Sequence, residues 1–89
     1  VKIGKGCIIV AQVGIAGSTV IEDYVAMGGQ AGIAGHLRVG KGAQIAAQSG
    51  VIQDVPAGEA QMGYPSMPLR QFLRQAALLK RLIKKEKAP

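Results

Sequence analysis

The chain has 89 residues, of which 48% are hydrophobic and 18% are charged, and its formal net charge is +6. This length allows one small domain, and the hydrophobic content argues against an intrinsically disordered chain. The sequence contains no run of 18 apolar residues, so we expect no transmembrane helix and no stable membrane insertion.

Residues 1–56 are organised by a six-residue period. A large aliphatic residue, or once a methionine, occupies every sixth position: Ile3, Ile9, Ile15, Ile21, Met27, Ile33, Val39, Ile45 and Val51. Neither an α-helix nor a half-buried strand has this period, and an ordinary glycine-rich antiparallel protein gives no reason for it. Hexapeptide repeats are typical of a parallel β-helix, in which each repeat forms one flat side of a coil. We therefore predict a mainly β fold with three 18-residue coils.

Two further features of the repeat support this fold. Residues two places before each large aliphatic, from Cys7 to Ser49, are mostly small, as a narrow prism requires. Gly4, Gly28 and Gly40 directly follow the large residue, where we expect a tight bend at positive φ. Because the first coil begins in mid-repeat with no cap, we expect the chain to be the carboxy-terminal part of a longer protein.

The repeat is predicted to stop at Asp54-Val55-Pro56, where proline ends strand pairing. A connecting loop is predicted over residues 57–68, followed by a carboxy-terminal α-helix over 69–89. A short heptad seam marks this helix: Leu69, Phe72, Ala76, Leu79 and Ile83. Further leucines beside the seam suggest more than one neighbouring helix, and a helix of this length is marginal alone.

Three strings carry a resemblance to a known family: VAQVGIAGST at 10–19, MGGQAGIAGH at 27–36 and AAQSGV at 46–51. In this order they resemble the UDP-3-O-acylglucosamine N-acyltransferase family of lipid A biosynthesis, a hexapeptide-repeat acyltransferase family, over essentially the whole chain. The resemblance implies a left-handed β-helix in a homotrimer. It also implies transfer of a 3-hydroxyacyl group from acyl carrier protein to the glucosamine amine of a UDP-sugar substrate, without a cofactor.

The resemblance also implies roles for particular residues. The general base of the family is a histidine just ahead of the position of Val1, so these 89 residues are expected to be inactive alone. The backbone N–H of Gly17 would help bind the oxyanion, and His36 would support substrate binding or catalysis. The 18-residue coil independently puts Gly17 and His36 on one edge of the prism. Gly50 and Ile52 would border the acyl-chain groove, where a glycine leaves space that a methionine would fill.

Most of the positive charge lies in residues 57–89. Arg70, Arg74, Arg81 and Lys85 recur at helical spacing, and we expect them to bind the acidic acyl carrier protein or to form a solvated helix face. Nucleic acid is not expected as a partner, because aromatic stacking platforms are lacking.

Two alternatives remain open: a related UDP-N-acetylglucosamine O-acyltransferase and a non-catalytic hexapeptide-repeat trimerisation module. A zinc-dependent carbonic anhydrase of the same fold is not favoured. One histidine does not supply the usual zinc ligands, so no metal is expected. The single Cys7 is expected to be a packed thiol, which suits a cytoplasmic location.

Overall fold

The computed structural model describes residues 1–87. Its elements are β1 (Lys2–Ile3), β2 (Ile8–Ile9), β3 (Gly14–Ile15), β4 (Val20–Ile21), β5 (Ala26–Met27), β6 (Gly32–Ile33), β7 (Arg38–Val39), β8 (Gln44–Ile45), β9 (Gly50–Val51), β10 (Ala60–Met62), β11 (Met67–Pro68) and α1 (Leu69–Lys87). The short strands stack into a prism, and the helix extends the molecule to 55 Å along its long axis.

The prism has three flat faces, each made of parallel strands from successive coils. Face A contains β1, β4 and β7; face B contains β2, β5, β8 and β10; face C contains β3, β6 and β9. On each face, a residue pairs with the residue 18 positions later in the next coil. Ile3 therefore pairs with Ile21, and Ile21 with Val39. The mainly β fold of parallel coils followed by a helix is therefore confirmed.

The large aliphatic residues of the repeat form the core because they point into the prism. Ile21, Met27, Ile33, Val39, Ile45 and Val51 are all buried. The small residues that precede them are buried as well, including Val25, Ala31 and Ala43. In the first coil, by contrast, Ile3 is 50% exposed while its counterpart Ile21 is 1% exposed. In this structure the first coil is covered by another coil on only one side, whereas the second is covered on both.

The glycines that follow the large residues do not have positive φ, contrary to the expectation for Gly4, Gly28 and Gly40. Their role is close approach between coils. A Cβ on Gly28 would lie 2.5 Å from the backbone nitrogen of Ala47, and one on Gly40 would lie 2.6 Å from the Cα of Ala57. Contacts this short leave no room for a side chain.

The coils continue past the point where the repeat was predicted to stop. Val55 forms a parallel bridge with Val39 on face A, and β10 pairs in parallel with β8 on face B. The segment predicted as a connecting loop, 57–68, thus contains β10 and β11 and forms part of a fourth coil. Val55 follows Val39 by 16 residues rather than 18, so this coil is out of frame with the earlier ones.

A polar residue occupies the core position of that fourth coil. Gln61 pairs with Ile45 and is buried, with its amide nitrogen donating to Glu59 (2.8 Å) and its amide oxygen accepting from Ser66 (2.6 Å). A buried amide is tolerated when its hydrogen bonds are made. The apolar period therefore ends one coil before the stacking of strands ends.

The helix α1 begins directly after β11 and packs against β10 and β11 at its amino-terminal end. Leu69, Phe72 and Ala76 are half-buried, whereas Leu79 and Ile83 are exposed. The predicted helix of 69–89 included Ala88 and Pro89, which lie outside the described residues. Among residues 1–87, no helix has both the length and the apolar character needed to cross a bilayer.

Candidate functional site

The coils turn at three edges, and the turning residue at each edge has a left-handed backbone conformation. Glycine occupies some of these positions, but several carry side chains: Gln12, Ser18, Tyr24, Gln30, His36 and Gln48 have φ between 60° and 65°. Such a conformation costs roughly 1–2 kcal/mol per non-glycine residue. Hydrogen bonds between successive coils hold the turns in place and offset that cost.

The edge between faces C and A, which we call the His36 edge, brings Gly17 and His36 together. The His36 N–H donates to the Gly17 carbonyl across 3.1 Å. The His36 side chain is exposed, and nothing lies within 4 Å of a Cβ built on Gly17. Among the described residues, no hydrogen bond uses the Gly17 N–H. This edge therefore presents an imidazole beside an open stretch of backbone.

The edge between faces B and C, the glutamine edge, carries a ladder of amides that sequence analysis missed. Gln30 donates to Gln12 (2.7 Å) and Gln48 donates to Gln30 (2.8 Å). The three glutamines are spaced by 18 residues, and this spacing was the signal that could have revealed them. Amide ladders of this kind stabilise stacked strands.

Between these two edges, the outward residue of each strand of face C is a glycine. Gly14, Gly32 and Gly50 form the floor of a shallow groove of about 610 Å³, the glycine groove. Gln30 and Gln48 line one side of the glycine groove, and Ile52 and Tyr64 lie at the end near the last coil. A floor of bare backbone, with Ala16 and Ala34 opposite the glutamines, suits a thin apolar ligand.

The structure corrects one expectation about the groove. Gly50 was predicted to leave open space, but a Cβ on Gly50 would collide with Cδ2 and Cε2 of Tyr64. Gly50 is buried, and the space above it is filled by the Tyr64 ring. Ile52 is exposed beside the ring and remains available to a ligand.

The acidic residues near face A join coils together. The Glu22 carboxylate pairs with Arg38 at 2.7 Å and accepts from the Lys41 N–H at 3.0 Å. Asp23 accepts from the Lys5 N–H at 2.9 Å. Within residues 1–87, no group of three or more His, Cys, Asp or Glu side chains is arranged to hold a metal ion.

The four basic residues singled out on the helix are all exposed. Arg70, Arg74, Arg81 and Lys85 are spaced by 4, 7 and 4 residues, so they lie along one side of α1, the basic stripe. The apolar seam lies on a different side of the helix. The basic stripe is far along the chain from the His36 edge, and the described contacts do not join the two.

No protein-family model matches the chain. Curated relatives do. The UDP-3-O-acylglucosamine N-acyltransferase of Methylobacterium sp. (strain 4-46) is 54% identical over 89 residues, which is 100% of this chain and 25% of that protein. Proteins of the same name from Caulobacter sp. (strain K31) and Campylobacter curvus (strain 525.92) are 49% and 52% identical over 91% and 94% of the chain.

The chain belongs to the UDP-3-O-acylglucosamine N-acyltransferase family. It spans about a quarter of the length of these relatives and matches their carboxy-terminal quarter. The relatives carry the N-acyltransferase name, so the O-acyltransferase and the non-catalytic trimerisation module are not favoured.

Proposed function

We propose that the protein carrying this chain is an N-acyltransferase that moves a 3-hydroxyacyl group from acyl carrier protein to the glucosamine amine of a UDP-3-O-acylglucosamine. The observation that carries the proposal is the 54% identity over all 89 residues with a protein of that name. The adjacency of Gly17 and His36 supports it, because the resemblance assigns catalytic roles to both residues.

In the proposed reaction, the amine attacks the thioester carbonyl and the carrier thiol leaves. The carbonyl oxygen gains negative charge in the tetrahedral intermediate, and a donor already aimed at it lowers the barrier. The Gly17 N–H is that donor, since it donates no hydrogen bond to another group among the described residues. The resemblance assigns the general base to a different histidine, so His36 supports the reaction by positioning the substrate.

The glycine groove is the proposed site for the acyl chain. Its floor of Gly14, Gly32 and Gly50 runs along face C, beside the His36 edge. The exposed side chain of Ile52 supplies an apolar contact near its end. An acyl chain in this groove would bring its carbonyl carbon towards Gly17 while its tail runs towards the last coil.

We further propose a homotrimer. The outer half of α1 exposes Leu79, Leu82 and Ile83, and an exposed apolar surface of this kind marks an interaction site. Face B adds a second apolar surface, a groove of about 360 Å³ that includes Ile8, Val10 and Leu69. Packing copies around a threefold axis would cover both surfaces. The free thiol of Cys7, which donates to the Glu22 carbonyl, is compatible with the cytoplasmic location that we propose.

The experiment that tests this function is an acyl-transfer assay on the full-length protein. Formation of the amide from 3-hydroxyacyl carrier protein and the UDP sugar is followed by mass spectrometry. His36→Asn should lower kcat by about 100-fold, a size typical of acid–base and positioning groups. Asparagine tolerates the left-handed backbone at this position, where φ is 61°, so the fold should be retained.

The matched control is Tyr24→Asn, which alters another exposed turning residue, with φ of 60°, at the edge between faces A and B. It should leave kcat within about twofold of the parent, because it is remote from the reacting groups. Absence of any acyl transfer by the parent protein would rule out the proposed function. Equal kcat values for His36→Asn and the parent would show that His36 does not take part in the reaction.

A further inference from the structure

The Tyr64 side chain stands on the floor of the glycine groove. The ring atoms nearest to Gly50 are Cδ2 and Cε2, with Cγ 3.0 Å from a Cβ built on that residue. The ring therefore meets the floor with one edge. Tyr64 is nevertheless 82% exposed, so most of the ring rises above the floor into solvent.

The backbone on both sides of the ring is tied to β9. The Gly50 N–H donates to the Gly63 carbonyl at 2.9 Å, and the Ser66 N–H donates to the Gly50 carbonyl at 2.7 Å. The Ser66 hydroxyl also donates to the buried Gln61 amide at 2.6 Å. These bonds hold the backbone of the segment 63–66 over Gly50, and this fixes the Cα from which the Tyr64 ring projects.

The rest of the groove floor is open. Nothing lies within 4 Å of a Cβ built on Gly14 or Gly32, whereas the corresponding space at Gly50 is filled by Tyr64. A thin ligand can thus lie across the first two glycines, and it meets the Tyr64 ring at the third. The exposed Ile52 side chain stands beside the ring and narrows the same end.

We propose that Tyr64 is the end wall of the glycine groove and that it sets the maximum length of the acyl chain bound there. This inference rests on the proposed function for the identity of the ligand. The residue that limits acyl-chain length, Tyr64, would then lie in the segment after the third coil. Gly50 would be a glycine because the Tyr64 ring occupies the space of its side chain. A longer chain would have to rotate the ring off Gly50, because the hydrogen bonds that tie Gly63 and Ser66 to β9 keep the Tyr64 backbone in place.

The test compares Tyr64→Ala with Tyr64→Phe in the full-length protein. Relative kcat/KM is measured for carrier-linked 3-hydroxyacyl donors of increasing chain length. Tyr64→Ala should improve the use of donors longer than the parent's optimum by about 10-fold or more, the discrimination that one or two methylenes give in a closed apolar site. Tyr64→Phe keeps the ring and should leave the length profile unchanged.

A second measurement separates this inference from the proposed function. Calorimetric titration with free 3-hydroxy fatty acids of graded length reports on the groove without requiring acyl transfer. Tyr64→Ala should shift the tightest-binding length upward, and Tyr64→Phe should not. If both the activity and the binding profiles of Tyr64→Ala match those of the parent, the end wall is refuted. A parent protein that binds the acids with a Tyr64-dependent length limit but transfers no acyl group would refute the proposed function alone.

Discussion

Single glycines in this prism have different physical roles. Gly28 and Gly40 allow the backbones of neighbouring coils to approach within about 2.5 Å of where a Cβ would lie, and they have ordinary φ values. Gly14 and Gly32 instead face open space and leave the groove floor bare. Position in the repeat separates the two roles, because the close-approach glycines follow a large aliphatic residue and the open ones precede it.

The close-approach role predicts a specific loss of stability. Gly40→Ala places a methyl group 2.6 Å from the Ala57 Cα and 2.8 Å from the Pro56 carbonyl carbon, neither of which can rotate away. Overpacking of this kind costs about 1–3 kcal/mol. The midpoint of urea unfolding should fall accordingly, and the slope of the transition should be unchanged.

Gly32→Ala is the matched control for Gly40→Ala. It adds the same methyl group to a strand glycine with nothing within 4 Å and no positive φ. Its unfolding free energy should stay within about 0.5 kcal/mol of the parent value, as for ordinary surface substitutions. Equal destabilisation by both variants would show that the loss does not come from contact between coils.

Much of the core could be predicted residue by residue, whereas the ring over Gly50 could not. Burial of the aliphatic residues repeats every sixth position, so Ile21 or Met27 could be assigned to the core from the sequence. The contact between Tyr64 and Gly50 occurs once, in a segment without periodicity, and nothing in the repeat indicates it. The Gln12, Gln30 and Gln48 ladder was detectable, because its members recur at the coil length.

At the level of elements, the helix α1 differs from the coils because it presents separate surfaces to separate neighbours. Its first turns bury Phe72 against the segment that includes Gly63. Its outer turns expose the seam residues Leu79 and Ile83, and the basic stripe lies on another side. The seam can therefore be covered without covering the stripe.

We expect the basic stripe to receive acyl carrier protein. Arg74→Glu with Arg81→Glu should raise the KM for the carrier at least about 10-fold, because complementary charge speeds encounter, and should leave the KM for the UDP sugar unchanged. The effect should weaken with added salt, since exposed charges are screened over about 10 Å at 0.1 M. Steady-state kinetics with each substrate varied in turn provide the measurement.

Lys80→Glu with Lys84→Glu is the control for that double reversal. It changes the net charge of the helix by the same amount at exposed positions outside the basic stripe. A similar rise in carrier KM for both pairs would mean that overall charge, and not the stripe, governs the encounter. If neither double variant changes the KM for the carrier, α1 does not bind the carrier and its role is limited to assembly.

The fourth coil shows why element boundaries were harder to predict than elements. The two-residue shortening before Val55 takes β10 out of the six-residue frame, and the core position there is filled by Gln61. An apolar period therefore cannot detect this coil. Backbone hydrogen bonding to β8, which depends little on side-chain identity, extends the sheet past the end of the pattern.

For the whole molecule, the proposed homotrimer leads us to expect a smaller molecular mass when a charged residue is placed in the helix seam. Leu79→Glu places a carboxylate where copies of α1 would meet, and burying an unpaired charge costs several kcal/mol. Light scattering at micromolar concentration should give a trimer for the parent and a smaller species for this variant.

Ala77→Glu provides the comparison for the seam. Ala77 and Leu79 are both exposed in the single chain, but Ala77 lies outside the heptad seam and is not one of the leucines beside it. Ala77→Glu should therefore remain trimeric. A stable monomer for the parent protein, or trimers for both variants, would contradict the proposed packing.

The alignment of edges from coil to coil restricts how the length of this region can change. Residues 18 apart stack directly, and successive strands begin six residues apart. An insertion or deletion of 18 residues would keep every turning residue at the edge of the prism where it now lies. A deletion of six residues between Ser18 and Gln30 would instead rotate everything that follows by one face, so that His36 would stack on Gln12 and lose its place beside Gly17. Evolution can lengthen or shorten the prism in whole coils while keeping its chemistry on one edge.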